Sequence, residues 1–161
     1  MAPKAVSAGL LLYRVSGGRP EVLLGHMGGP FWAKKDEAAW SLFKGEYGPG
    51  EEPLAAARRE FAEETGSPAP DGEVLALGEV RQSSGKRVVA WAIEGDFDVA
   101  ELRSNTFTVE WPPRSGRYAD FPEVDRAEWF DLATARGKLV RAQAAFIDRL
   151  ERALAEGAAG S

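Results

Sequence analysis

A chain of 161 residues with 44% hydrophobic and 10% aromatic content carries enough apolar surface for one domain, read as residues 1–161, and a second is not expected. The absence of cysteine excludes disulfides and thiolate metal sites and fits a reducing compartment. A formal net charge of -5 argues against any function that grips nucleic-acid duplexes through their phosphates, which needs a basic face.

The N-terminal apolar stretch is too short and too interrupted for a membrane span or a secretion signal, so a cytoplasmic protein without a membrane partner is expected. Ala5 to Val15 is rich in leucine and valine, Ser16 to Pro20 is a turn cluster, and Glu21 to Met27 is a second apolar run. These form a hairpin central to a sheet. His26, the lone histidine, sits at a strand end and is read as structural, with no role in chemistry. Residues 28–37 are a loop whose adjacent aromatics, Phe31 and Trp32, either cover the core or stack on a base.

An apolar segment from Trp40 to Phe43 then leads into Gly45, Gly48, Pro49 and Gly50, a tight path that lets backbone groups approach a ligand closely. Pro53 suits the first turn of a helix, Glu51 and Glu52 suit the positive end of its dipole, and Gly66 is able to end it. The helix therefore runs from near Pro53 to near Thr65. Leu54, Ala57 and Phe61 make an apolar stripe, and Glu60, Glu63 and Glu64 share a neighbouring face. Like charges at that spacing repel, and a hard divalent cation would reverse the cost. A solvated helix face accounts for the three carboxylates equally well when they are taken alone.

After the helix, Ser67 to Gly72 is a loop, and Val74 to Gln82 and Arg87 to Glu94 form a second hairpin carrying Trp91 on its return strand. Asp96 to Ser104 is a connecting loop or helical turn, Thr106 to Trp111 a strand, and residues 112–117 a basic loop that cannot continue it. Glu123 to Leu132 is the last strand, with Trp129 and Phe130 as packing residues. Ala133 to Glu156 reads as one helix with Leu139, Ala142, Phe146, Leu150 and Leu154 near one face, and the tail 157–161 is expected to fray. The mixture of elements indicates an α+β fold, an α-β-α sandwich.

The spacing of Gly45, five residues, Glu51, seven residues, Arg59-Glu60-Phe61, one residue, Glu63-Glu64, one residue, Gly66 resembles the Nudix box of the Nudix hydrolases. It departs at Ser67, where the family usually has an aliphatic residue, and at Phe43, which replaces a frequent proline. The resemblance extends over roughly residues 5 to 155, to a bacterial branch described as nucleoside triphosphate pyrophosphohydrolases. It implies the Nudix fold, with a mixed central sheet between helices, and hydrolysis of a diphosphate linkage by water with Mg2+, or Mn2+ in its place. It further implies Glu60 and Glu64 as primary metal ligands, with Glu63 a third and the Gly45 carbonyl completing a shell. Arg59 would orient the glutamates together with Glu51, and Glu123 would supply a further acid from outside the box, with Glu110 and Asp120 as rivals. Spacing leaves open whether Glu60, Glu63 or Glu123 is the base.

Lys44 beside the glycine is read as a phosphate contact. Trp32, Tyr47 and Trp91 offer faces for a base, though strand aromatics such as Trp91 usually pack. Lys34, Lys35, Lys86, Arg87, Arg114 and Arg117 add cations in the surrounding loops, which favours a nucleoside polyphosphate, either a triphosphate or a dinucleoside polyphosphate, as the small-molecule partner. The alternatives are a Nudix-like sensor that binds a nucleotide without cleaving it, and an enzyme acting on ADP-ribose or another nucleoside diphosphate derivative.

Overall fold

The computed structural model describes residues 6–159. Strand β1 (Val6–Ser16) is the axis of a seven-stranded sheet. Its run Leu10-Leu11-Leu12 is buried throughout because both faces of the sheet are covered, and alternation sends Leu10 and Leu12 to one side and Leu11 to the other. The start of the expected strand, Ala5, lies outside the described residues.

One edge of β1 is shared by two strands. Residues Tyr13 to Ser16 pair antiparallel with β2 (Arg19–Met27), and Ser7 to Leu10 pair antiparallel with β4 (Phe43–Glu46). The other edge pairs in parallel with β6 (Arg87–Glu94), which makes the sheet mixed. Strand β5 (Val74–Arg81) adds to β6, and both the short β3 (Trp40–Ser41) and β9 (Val124–Asp131) add to β2. Strands β7 (Thr106–Glu110) and β8 (Tyr118–Pro122) form a separate antiparallel ribbon.

Helix α1 (Pro53–Thr65) covers one face. Its ends are set locally: the Glu52 carboxylate accepts the Ala55 N–H, Pro53 opens the first turn, and Gly66, at φ 81°, closes the last with its N–H on the Ala62 carbonyl. Its buried residues Ala56, Ala57 and Phe61 pack with Ala8, Leu10 and Phe43 from the sheet. On the opposite face lie α2 (Leu132–Lys138) and α3 (Ala144–Ala159), whose Leu132, Ala135, Phe146, Ile147 and Leu150 pack with Leu11, Val22, Leu24 and Trp40. The α-β-α sandwich follows from these two apolar layers. No helix among the described residues is long and apolar enough to cross a membrane.

Three expectations need correction. The single helix expected over 133–156 is broken after Lys138: Leu139 and Val140 are extended, and the Val140 N–H bonds to the Trp40 carbonyl, an acceptor on β3 that a continuous helix would leave unmet. Helix α3 then continues to Ala159, past Gly157, while residues 160 and 161 lie outside the described residues. Strand β8 falls in a stretch rich in polar residues and proline, with no apolar run to mark it, and exists through its pairing with β7. The first turn is also tighter than Ser16 to Pro20, since Gly17 and Gly18 both take positive φ and Pro20 is already paired with Val15.

Phe61 joins α1 to the sheet through edge-to-face contact with Phe43 at 5.4 Å between ring centroids. Phe61→Ala is expected to cost about 3–5 kcal/mol of stability, read as a shift of the urea midpoint. A loss under about 1 kcal/mol would show that another contact holds the helix.

Candidate active site

Strand β4 and the C-terminal half of α1 face each other, and the three box carboxylates take three different environments there. Glu64 turns inward and is 8% exposed, with its carboxylate accepting the Lys44 N–H at 3.1 Å. Burial pushes its pKa up to about 8, against the pull of that N–H and of the Lys44 ammonium. Glu60 is half-buried, and its pKa is raised by burial although Arg59 opposes the rise. Glu63 is exposed. A shared helix face in sequence thus becomes a gradient from solvent to interior.

Arg59 is the hub of the cluster. Its Nε and Nη2 donate to the two oxygens of Glu51 at 2.8 and 3.0 Å, and its Nη1 donates to Glu60 at 2.9 Å and Glu63 at 3.1 Å. The bidentate pair holds the Glu51 carboxyl below its ordinary range. Gly45 stands against the same group: a Cβ there would overlap the Glu60 carboxylate as it stands and would make that side chain move.

Glu123 comes from the junction of β8 and β9, far along the chain, and reaches the same cavity. A relay of backbone hydrogen bonds sets it there: Asn105 N–H to the Glu63 carbonyl at 3.0 Å, Glu123 N–H to the Asn105 carbonyl at 2.9 Å, and Gly28 N–H to the Glu123 carbonyl at 2.9 Å. The cavity, of about 430 Å³, is lined by Glu46, Glu60, Glu63, Glu64 and Glu123 with Lys44 and Lys86. Ser7, Gly45 and Asn105 complete it. Lys86 is itself paired with Glu46 at 3.0 Å. Ser7 and Asn105 join the site without any sequence signal, since a lone Ser on a strand or Asn before one marks nothing.

Other anticipated residues lie elsewhere. Tyr47 and Trp91 pack against the apolar layer under α1 and do not line this cavity. Glu110 accepts the Arg114 N–H and Asp120 bonds the Thr108 hydroxyl, both on the ribbon. Arg87 pairs with Glu79, and Lys35 stands 5.1 Å from the centroid of the Trp32 ring. Trp32 lines two adjoining cavities that also reach Lys44. His26 is buried, bonded to Asp125 through Nδ1 and to the Lys35 carbonyl through Nε2, and so ties the loop bearing Trp32 to β9.

The donor set fits a hard divalent cation by its chemistry: Glu60, Glu63, Glu64 and Glu123 with the adjacent Gly45 backbone, all oxygen, in one polar cavity with more negative than positive side chains. As the side chains stand, no group of three or more His, Cys, Asp or Glu among the described residues is disposed to hold a metal ion. Arg59 is paired with both Glu60 and Glu63 in this arrangement.

The family whose sequence model matches the chain is described as the NUDIX domain, over residues 3–150. No curated protein matches. Among solved structures, the chain is similar to a Caenorhabditis elegans Ap4A hydrolase in a binary complex, at 21% identity and TM-score 0.65, over 94% of this chain and 98% of that one. It is similar to the NUDIX domain of Shewanella oneidensis NrtR complexed with ADP ribose, at 16% identity and TM-score 0.65, over 96% and 90%. A MutT protein from Methanosarcina mazei Go1 matches at 22% identity and TM-score 0.59, over 93% and 94%.

The raised Glu64 pKa has a sign that stability measurements can read. A carboxyl at about 8 when folded and near 4.5 when unfolded stabilises the fold fully below about pH 4.5, and that contribution is lost as pH rises toward 8. Without divalent cations, the wild-type protein is expected to lose about 1.4 kcal/mol per pH unit between about pH 5 and 8 relative to Glu64→Gln. The difference reads Glu64 together with its charge coupling to Lys44, whose own shift depends in part on Glu64. Parallel urea-stability profiles for the two would show that Glu64 ionises at its ordinary pH.

Proposed function

The chain belongs to the Nudix family and is a hydrolase of phosphoric anhydrides, and from that premise we propose that it cleaves the diphosphate linkage of a nucleoside polyphosphate with magnesium. The observation that carries this reading is the convergence of Glu60, Glu63, Glu64 and Glu123 on one cavity that also holds Lys44 and Lys86. A sensor that only binds nucleotide has little use for so many carboxylates.

Glu60, Glu63 and Glu64 hold the cation, with the Gly45 carbonyl beside them and Glu123 across the cavity. Magnesium, when bound, neutralises the phosphate oxygens and makes water easier to ionise. Manganese is the expected substitute. Arg59 has two duties: it offsets the carboxylates before the cation arrives, and through Glu51 it stays anchored when Glu60 and Glu63 turn away. Glu64, which burial favours as a neutral acid, would be ionised as a cation ligand, and the Lys44 N–H already points at its carboxylate. Lys44 and Lys86 hold phosphate oxygens of the substrate. The proton of the attacking water passes to a cavity carboxylate, with Glu60, Glu63 and Glu123 as the candidates.

Cations and aromatics near the site favour a nucleoside triphosphate or dinucleoside polyphosphate. The Ap4A and ADP-ribose neighbours set the two classes to compare. Glu64→Gln is expected to keep the fold and cut turnover by about 10²–10³, as loss of a charge-stabilising group does at other phosphoryl and acyl centres. Wild-type turnover in the folded variant, or full activity in chelator, would overturn the assignment. Glu123→Gln is expected to lower the rate or weaken magnesium binding, and no change in either assigns Glu123 to the surface. Catalytic efficiency on ATP, GTP, diadenosine tetraphosphate, ADP-ribose and NADH at one magnesium concentration tests the substrate class. A tenfold preference for either of the last two, about 1.4 kcal/mol, would reverse it.

A further inference from the structure

The active-site cavity has two banks, and strand alternation makes them. Gly45 is opposite Ala8 in the β1–β4 ladder, and both look toward α1: Ala8 packs in the layer under that helix, and Glu60 stands over Gly45. Their neighbours in the ladder, Ser7 opposite Glu46 and Gly9 opposite Lys44, therefore face the other way. Lys86 reaches this second bank from the β5–β6 turn through its ion pair with Glu46. One cavity thus has box carboxylates on the α1 side of β4, and a hydroxyl, two ammonium groups and the Glu46 carboxylate on the other.

The donors of the second bank are short of acceptors. Ser7 is only 4% exposed, yet its hydroxyl has no hydrogen-bond partner among the described residues and keeps surface open to the cavity. Buried hydroxyls nearly always find a partner. Glu46, directly opposite, is engaged by Lys86 at 3.0 Å, and an ammonium group offers no acceptor. The Lys44 ammonium makes no ion pair or hydrogen bond among the described residues, and Gly9 puts no side chain between it and Ser7. Lys86 uses one N–H on Glu46 and keeps two. An oxyanion supplies what all three side chains lack, an acceptor of several hydrogen bonds that carries negative charge.

We propose that the Ser7 hydroxyl, with Lys44 and Lys86, holds a phosphate beyond the diphosphate that is cleaved, and so makes the site selective for chains of three or more phosphates. The inference deepens the nucleoside polyphosphate reading given above and rests on it. The cleaved diphosphate lies on the carboxylate bank, where a cation neutralises its oxygens. A chain that continues past it leaves that bank, and because only the width of β4 separates the two, the next phosphate meets the donors on the far side. A chain that ends at two phosphates has no group to place there. The serine differs from the lysines in what it senses. An ammonium attracts any anion at a distance, whereas a neutral hydroxyl responds only to an acceptor within hydrogen-bond reach. Ser7 is therefore the residue of this bank that measures length.

Inorganic pyrophosphate and tripolyphosphate probe the two banks without a nucleoside. Their binding is measured calorimetrically in magnesium on the wild-type protein, Ser7→Ala and Ser7→Thr, with circular dichroism to verify folding and the methylene-bridged analogue in place of any ligand that is hydrolysed. Ser7→Ala is expected to weaken tripolyphosphate binding about tenfold, about 1.4 kcal/mol, and to leave pyrophosphate binding within about twofold. Ser7→Thr, which returns a hydroxyl at a strand position that suits threonine, should bring tripolyphosphate affinity back to within about threefold of wild type. In turnover of a nucleoside triphosphate, Ser7→Ala should raise KM more than it lowers kcat. Equal losses for the two ligands, no loss for either, or a folded Ser7→Thr protein as weak as Ser7→Ala would each overturn the proposal. A wild-type protein that binds tripolyphosphate no more tightly than pyrophosphate would overturn it as well. Should Ser7→Thr not fold, the two ligands on Ser7→Ala decide alone. These affinities do not depend on hydrolysis, so inactivity on every nucleotide would count against the proposed function and not against the selectivity for chain length.

Discussion

One hydrogen bond, from the Lys44 N–H to the Glu64 carboxylate, closes the site. It runs between β4 and the last turns of α1, the two elements that carry the box residues. Without it, Glu64 would be a buried acid with no fixed partner and β4 an edge with an unmet donor. Phe61 beneath, packed with Phe43 of β4, holds the helix against the strand. The placement of Glu60 and Glu63 follows from this contact, since they ride on the same helix.

Charge in the cluster is managed by position. The guanidinium of Arg59 contacts Glu51, Glu60 and Glu63 together, which relieves the repulsion that the bare sequence spacing suggests. Glu64 is left out of that arrangement and is instead buried, where a neutral acid is favoured. The protein thus stores its negative charge in two forms, one compensated by a counterion and one suppressed by desolvation.

The limits of helix α1 were legible in the sequence because its signals are local: an acid and a proline at the start, a left-handed glycine at the end. The box carboxylates were legible for the same reason. What could not be read depended on distant partners. The break after Lys138 exists because Trp40 offers a carbonyl to Val140, a contact between residues far apart in the chain. The ribbon strand β8 is only five residues long, directly after a basic turn, and is defined by its pairing with β7. The expectation that Glu123 belongs with the box rested on its place before the last strand, and the structure brings it to the cavity by backbone bonds that no side-chain pattern announces. Tyr47 follows closely on Gly45 in sequence yet turns to the apolar layer, which shows that proximity along the chain does not choose the face.

The relay that links the end of α1 to Asn105, Glu123 and Gly28 is made of main-chain atoms throughout. Geometry written in amide groups is indifferent to the side chains that hang from them, except where a ring or a missing Cβ intrudes. Gly28 is such an exception, since a Cβ there would overlap the Pro122 carbonyl. Side chains along this seam can therefore be exchanged without breaking the bonds that carry Glu123 to the cavity, as long as residue 28 stays bare.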